Sequence, residues 1–337
     1  TTPPMDALRL VVETLIELTD EGRRPVVAVA GNHDSADLFE VLDPLMAPFN
    51  VRLVGAVKRP DDGGVLTLDT PAGKAVIGCF PFLREGRVVD FMAETGSWYG
   101  AYADRVRSLT QAYSEAVVAG AGREGVALLM AHFMVTGVAI AGHGRPRGER
   151  ALHIGQSYAA TAQAMPPGPQ YVAMGHIHAP QPVPGSPVPA QYAGSLLELD
   201  FGESGEQKRV VIVDVEPGRP AAVTSVPLSG GRRLMRADGR WEELEARDDL
   251  VEAYVDLVVQ TDGPDPALAD RARARFPRLV RVVASYPRAQ ADRPQRTGLS
   301  WEDLYGSYVK RTRDAEPPPE LLAAFREVWD EVGRDSE

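Results

Sequence analysis

The run Tyr171-Val172-Ala173-Met174 is apolar, stops at Gly175, and is followed by His176 and His178 with one residue between them. On a helix, residues two apart stand about 200° apart around the axis and cannot serve one site. In extended chain they project to the same side. The run therefore reads as a strand delivering two imidazoles side by side, either as ligands for one metal or a close metal pair, or as two surface loop histidines. Two further runs bear on that choice. Pro25-Val26-Val27-Ala28-Val29-Ala30 reads as a fully buried strand and enters Gly31-Asn32-His33-Asp34, while Val126-Ala127-Leu128-Leu129-Met130-Ala131 ends on His132. Four of the six histidines thus stand at strand exits, where α/β folds place their active sites. Mixed His, Asn and carboxylate donors suit Mn²⁺, Zn²⁺ or Fe²⁺ better than an all-oxygen Mg²⁺ or Ca²⁺ site, and the lack of thiolates argues against structural zinc. Asn32 by itself reads equally as a ligand or as a turn residue tolerant of unusual backbone angles. Beside His33 at a strand end, the ligand role is favoured.

The remaining elements fit an α/β layer. Leu8, Val11, Val12, Leu15, Ile16 and Leu18 recur at helical spacing from Met5 to Leu18, with Pro3 and Pro4 suited to the first turn and Gly22 to the end. Short strands are expected at Val51–Val54, Val65–Leu68, Ala75–Cys79, Gln191–Ser195, Val210–Val215 and Val223–Leu228, and a long helix from Tyr102 to Val118. Gly142–Arg150 reads as a mobile loop. His143 and His153 flank it and read as solvated or structural rather than metal-binding. The character changes near Arg232. Trp241–Asp256 carries seven acidic residues against one Arg, and Arg271–Arg296 carries eight Arg against one Asp. Between them Ala253–Val259, Pro266–Arg275 and Leu279–Ser285 suggest a compact βαβ-like unit. The Arg cluster reads either as a surface for DNA phosphates or as a solvated basic face. After a polar linker, Arg288–Gly298, two short helices close the chain, and Leu321, Leu322, Phe325, Val328, Trp329 and Val332 form an apolar stripe on the second. Such a stripe either packs on its own domain or docks on a partner.

Composition sets outer limits. Net charge is −11, awkward for a protein that must hold a polyanion unaided, so metal ions, a local basic patch or a basic partner would be needed. No apolar run reaches the roughly 18 residues of a membrane span. Cys79 is the one cysteine, which rules out an internal disulfide and is compatible with a reducing cytoplasm. It follows an apolar strand and reads as a small buried residue.

Gly31-Asn32-His33-Asp34, Ala131-His132-Phe133 and Gly175-His176-Ile177-His178 together resemble the back half of the signature of the calcineurin-like metallophosphoesterases. With Tyr192-Ala193-Gly194-Ser195, Leu199-Asp200-Phe201-Gly202-Glu203 and Asp303-Leu304-Tyr305, the resemblance narrows to the SbcD nuclease-subunit family and covers nearly the whole chain. It implies an α/β sandwich of two sheets flanked by helices (residues 1–230), a small α+β capping domain with DNA contacts (231–290), and a linker with a helical hairpin for the SbcC ATPase (291–337). It implies two divalent ions, Mn²⁺ by preference. Asn32, His132 and His176 would bind one and His178 the other. His33 would be the catalytic histidine, contacting the scissile phosphate or protonating the leaving oxygen, with Asp34 orienting it. The implied activity is ATP-regulated 3′→5′ exonuclease and endonuclease action on double-stranded DNA ends and hairpins in repair and recombination. A homodimer within a cytoplasmic heterotetramer is the implied assembly, with no membrane partner.

One departure stands out. The family pattern opens with an Asp-x-His motif and then a Gly-Asp motif whose Asp bridges the metals, and neither occurs in this sequence. The chain begins where the segment after them should start, so it is expected to be an N-terminally truncated form and, as it stands, a poor nuclease or none. Two rivals follow. One is a phosphoesterase acting on small phosphodiesters or phosphoproteins. The other is a non-catalytic scaffold whose metal motifs have degenerated.

Overall fold

The structure, a computed structural model, describes residues 3–83, 98–139, 159–287, 300–313 and 316–334. The expectations for the Gly142–Arg150 loop, His143, His153 and the Arg288–Gly298 linker lie outside the described residues. Two compact units are present, Thr1–Val259 with Ala267–Val283, and Gln260–Pro266 with Ala284–Glu337.

The first unit opens with α1 (Met5–Leu18), β1 (Val26–Val29), α2 (Ala36–Met46) and β2 (Val51–Val54). Asp20, Glu21 and Gly22 take positive φ (52°, 60° and 82°) and turn the chain from α1 back toward β1. α1 is amphipathic as its spacing predicts: Val12, Leu15 and Ile16 pack on buried Met46, Val51 and Leu53. Val11 and Leu18 lie to the side of that face and are exposed, unlike the expected stripe. β1 pairs in parallel with β2 alone, from Val26↔Val51 to Val29↔Val54. All four of its residues are half-buried, not fully buried as its composition suggests. Among the described residues no strand hydrogen-bonds to its other edge, so one flank lacks the cover a central strand receives.

The main sheet follows. β3 (Val65–Thr70), β4 (Gly73–Phe80), α3 (Trp98–Ala121), β5 (Val126–His132), β6 (Met134–Val135), β7 (Ala159–Ala160), β8 (Tyr171–Gly175), β9 (Gln181–Pro182) and β10 (Ala190–Tyr192) come in that order. Six of these strands form one sheet in the order β3-β4-β5-β8-β10-β9. β4, β5, β8 and β10 run parallel, and β3 and β9 close the two edges antiparallel. Parallel neighbours end on the same side, which is why separate apolar runs can each deliver a residue to one place. The core lies over this sheet. Phe80 meets Tyr113 of α3 and Phe133 edge-on, with ring centroids 5.7 and 5.8 Å apart. Tyr192, fully buried, donates its hydroxyl to the Phe133 carbonyl (2.9 Å) and accepts from the Val135 amide (3.0 Å). The strand expected at Gln191–Ser195 is shorter, because Gly194 takes φ 88° and turns the chain out of the sheet.

β11 (Arg209–Asp214) and β12 (Ala222–Pro227) form a separate antiparallel hairpin. Beyond it come β13 (Leu234–Arg240), which the sequence pattern does not announce, then α4 (Trp241–Glu245), β14 (Tyr254–Gln260), α5 (Leu268–Arg275) and β15 (Leu279–Ser285). They make a three-stranded sheet in the order β13-β14-β15. Here the acidic and basic stretches neutralise each other. Asp256, almost fully buried, takes both Nε (2.7 Å) and an Nη (3.0 Å) of Arg281, and Arg275 pairs with Asp248 at 2.7 Å. Arg271 lies over the Trp241 ring at 5.3 Å. The Arg cluster is thus in good part committed to carboxylates and rings of its own surroundings, an arrangement that neither sequence reading of it anticipated.

In the second unit α6 (Trp301–Arg313) and α7 (Pro319–Arg334) form a hairpin. Tyr305 stacks on Phe325 with centroids 4.2 Å apart and planes 5° from parallel, and Trp301 packs on Trp329 at 4.7 Å. The apolar stripe is divided: Phe325 and Trp329 both meet rings of α6, Trp329 keeping 44 % exposure, while Val328 is 58 % exposed. Among the described residues no helix is long and apolar enough to cross a membrane.

Cys79 is fully buried beside Val54 and Leu66, and burial pushes its thiol up to about 12. Three pH units above an ordinary thiol implies a thiolate population about 10³-fold smaller. Ellman's reagent at pH 8 should therefore label Cys79 at least about 10³-fold more slowly in the native chain than in urea. Equal rates would contradict the burial.

Candidate functional site

The register of β5 and β8 fixes the centre of the site. His132 lies opposite Gly175, so His176 begins one residue beyond the pair. The end of β1 is brought alongside by two backbone bonds, from the Ala30 amide to the Val54 carbonyl (2.9 Å) and from the Phe82 amide to the Ala30 carbonyl (2.9 Å). A tight turn follows. The Asp34 carboxylate accepts from the Gly31 amide at 2.7 Å, and the Asp34 amide donates to the Gly31 carbonyl at 3.3 Å. Ser35 then caps α2 by accepting from the Leu38 amide, which fixes the exit of the turn. Asn32 and His33 stand on this closed loop.

Three side chains of the predicted set converge. Asn32 Oδ1 is 3.0 Å from His132 Nε2 and 3.3 Å from His176 Nδ1. The two imidazole rings meet edge to face with centroids 5.2 Å apart. Asn32 has no positive φ, so the turn-residue explanation of its presence gives way to its side-chain contacts. The Asn32 amide also approaches His132 Nε2, at 3.4 Å. The backbone amide can only donate and Asn32 Oδ1 can only accept, so the two contacts make opposite demands on the His132 tautomer. Two or three lone pairs aimed at one point are what a cation needs, and a neutral donor set of two imidazoles and an amide oxygen fits a borderline divalent ion. Among the described residues no group of three or more His, Cys, Asp or Glu is placed to hold a metal; the set reaches three through Asn32.

The glycines of the motifs are explained by one ring. A Cβ on Gly31 would lie 2.6 Å from His132 Cε1, and one on Gly175 would lie 2.7 Å from His132 Nδ1. Both positions must be bare for the imidazole to lie between them. Phe82 completes the enclosure, stacked on His176 (5.8 Å, 14° between planes) and edge-on to His132 (6.2 Å). Burial pushes the His132 imidazolium down to about 4; the Asp34 carboxylate opposes this, and His33 and His178 add to it. His132 is therefore neutral at physiological pH, the form that ligates metals.

The pair His176 and His178 does not remain in extended chain. β8 ends at Gly175, and His176 takes φ 100°, a backbone conformation that L side chains rarely adopt. Strain of this kind costs on the order of 1–3 kcal/mol and persists where the surroundings dictate it. Here it separates the pair: His176 turns to Asn32, and His178 turns to a different set of partners. His178 Nδ1 is 2.8 Å from Oε1 of Glu203, a carboxylate 1 % exposed. Oε2 of Glu203 accepts from Lys208 Nζ (2.7 Å), the Leu199 amide (3.2 Å) and the Ser195 hydroxyl (3.1 Å). These bonds outweigh burial and hold the Glu203 carboxyl down at about 2. His33 is exposed on its turn. Glu203, Lys208 and Phe82 were not picked out as site residues from sequence. The only signal was that Glu203 ends the Leu199–Glu203 stretch, and nothing local ties that stretch to His178.

Because His132 titrates lower folded than its ordinary 6.5, its contribution to stability is complete above about pH 6.5 and is lost as pH falls toward 4. The shift corresponds to about 3 kcal/mol. In the metal-free protein the urea midpoint should fall between pH 7 and pH 4.5 more steeply for the wild type than for His132→Gln. Parallel curves would show that His132 is not held neutral.

No protein-family model matches the chain. Curated relatives do. It is 28% identical to the SbcD component of nuclease SbcCD from Bacillus subtilis, over 97% of this chain and 84% of that protein. The proteins of the same name in Rhodobacter capsulatus and Escherichia coli K12 are 29% and 26% identical, over 87% and 77% of this chain and 68% and 65% of theirs. With the α/β architecture, and with relatives from separate bacterial lineages under one name over 77–97% of its length, the chain is similar to the D subunits of SbcCD nucleases.

Proposed function

We propose that this chain is the metal-dependent phosphodiesterase subunit of an SbcCD-type DNA nuclease. The observation that carries the reading is the convergence of Asn32, His132 and His176 at the shared ends of β1, β5 and β8, in a family whose curated members are named nucleases. Asn32, His132 and His176 hold one divalent ion, Mn²⁺ by preference, and His178 contributes to a second. When bound, such ions supply Lewis acidity toward the phosphodiester and a water of lowered pKa. The protein's own part is geometric and acid–base. The Gly31–Asp34 turn holds Asn32 against the two rings. His132, enclosed and neutral, keeps a lone pair available, and Phe82 walls the rings from one side. His33, exposed on the same turn, contacts the scissile phosphate or donates a proton to the leaving oxygen, a role worth about 10²–10⁴-fold in rate.

The partner is an SbcC-type ATPase, which supplies much of the grip on DNA that a chain of net charge −11 lacks. The exposed half of the α7 stripe, Val328 and Trp329, is its docking face. Residues 231–290 act as the capping domain, and double-stranded ends and hairpins are the substrates, cut in the cytoplasm by a homodimer within a heterotetramer.

The test uses the full-length gene product with Mn²⁺ and a linear, end-labelled duplex. His176→Ala should lose both Mn²⁺ binding and cleavage. His33→Ala should keep Mn²⁺ affinity within about twofold and lose cleavage by about 10²–10⁴-fold. Full activity in His33→Ala would refute the acid role, and undiminished Mn²⁺ binding in His176→Ala would refute the metal site. A wild type that assembles with the ATPase but cuts nothing would favour a scaffold instead.

A further inference from the structure

We propose that Glu203, fixed by Lys208, is a positioning residue that sets the orientation and tautomer of His178, keeping the proton on Nδ1 and leaving Nε2 with its lone pair. The functional meaning rests on the reading of His178 as a metal ligand; the clamp itself rests on geometry. Glu203 divides its two oxygens. Among the described residues Oε1 meets His178 Nδ1 at 2.8 Å, and Oε2 takes Lys208, the Leu199 amide and the Ser195 hydroxyl. A carboxylate only accepts, so Nδ1 must carry the proton. Lys208 holds His178 in two ways: its ammonium bonds Glu203, the partner of the ring, and also reaches the His178 carbonyl at 3.3 Å. That carbonyl accepts in addition from the Ser195 amide at 3.0 Å. Ring and backbone of His178 are thus held by one buried network. Gly194, with φ 88°, belongs to it as well, since a Cβ there would lie 2.6 Å from the His178 carbonyl.

A buried ion pair that served packing alone would be indifferent to which nitrogen of His178 carries the proton. This one is not, and Glu203→Gln separates the two cases. Two donors at Oε2, the Leu199 amide and the Lys208 ammonium, can only donate, so the single amide oxygen of Gln must occupy that place. Its NH₂ then faces His178 Nδ1, which must accept, and the proton moves to Nε2. Lys208 keeps Glu206 at 2.9 Å, so the substitution leaves no buried cation without a carboxylate.

The experiment is two-bond ¹⁵N–¹H correlation of ring-labelled histidine in the metal-free chain at pH 8, with His178 assigned by difference against His178→Gln. The wild type should show Nδ1 protonated and Nε2 bare, a reading that needs no variant of Glu203. Glu203→Gln should show the reverse at His178 with the other rings unmoved, and Glu203→Asp, which keeps the carboxylate, should restore the wild-type pattern. A wild-type His178 protonated at Nε2, or a Gln variant with an unchanged tautomer, overturns the proposal. Mn²⁺ alone is then added, and broadening of the His178 signals is followed. Glu203→Gln should weaken that response by about 10–100-fold in Mn²⁺ concentration. A correct tautomer switch with no Mn²⁺ response in the wild type would leave the clamp standing and take down the ligand reading of His178.

Discussion

The close fit of the His132 ring between two bare backbones is the constraint on which the site depends. The parallel pairing of β5 with β8 puts Gly175 opposite His132, and the exit of β1 brings Gly31 against the same ring. Neither strand could approach with a side chain at these positions. The same packing strips water from the ring and holds it neutral, so the geometry that builds the site also sets its protonation state. Asn32 and His176 then meet around this fixed ring, and His176 accepts an unfavourable backbone angle in doing so.

Much of the fold was legible because the strands are apolar and the turns are marked by glycine. The ranges of α1, β2, β4, β5 and β8 follow closely from composition and period. What could not be read was how many neighbours each strand would have. β1 looks like a central strand, yet its single partner leaves it half-buried. β13 was missed because Leu234–Arg240 mixes charges with glycine, and its place in the sheet comes from pairing with β14 rather than from its own residues. At the site, the histidines were legible because they end apolar runs. The backbone reversal at His176 was not, since nothing in Gly-His-Ile-His announces a positive φ at a residue with a side chain. Glu203 was invisible as a partner of His178 for a related reason. The contact is made by two loops, and loops carry no period from which to infer facing.

The charge pattern near the chain's second half shows the same limit. Counting Arg against Asp from 271 onward suggests a basic face, but pairing is settled in three dimensions. Asp256 and Asp248 lie outside the counted stretch and take up Arg281 and Arg275. A segment's own charge therefore misstates the field it presents when a compensating segment folds against it. The α6–α7 hairpin differs again. Its aromatic stack is internal, yet the outer part of the stripe stays exposed, so sequence spacing identified the residues but not how they divide between the hairpin and its surroundings.

The donors of the site are widely separated in the chain. Asn32 and His132 lie 100 residues apart, Asn32 and His176 lie 144 apart, and His178 meets Glu203 across 25 more. Closing loops of that length is the slow part of assembling a fold. During synthesis, no partial chain ending before residue 176 contains the three-donor set, and none ending before 208 contains the lysine that secures Glu203. Closure of the cluster is therefore tied to pairing of the sheet as far as β8. A chain built this way cannot close the cluster while its first half is being made, and the closed cluster is itself a report that the strands around it have paired.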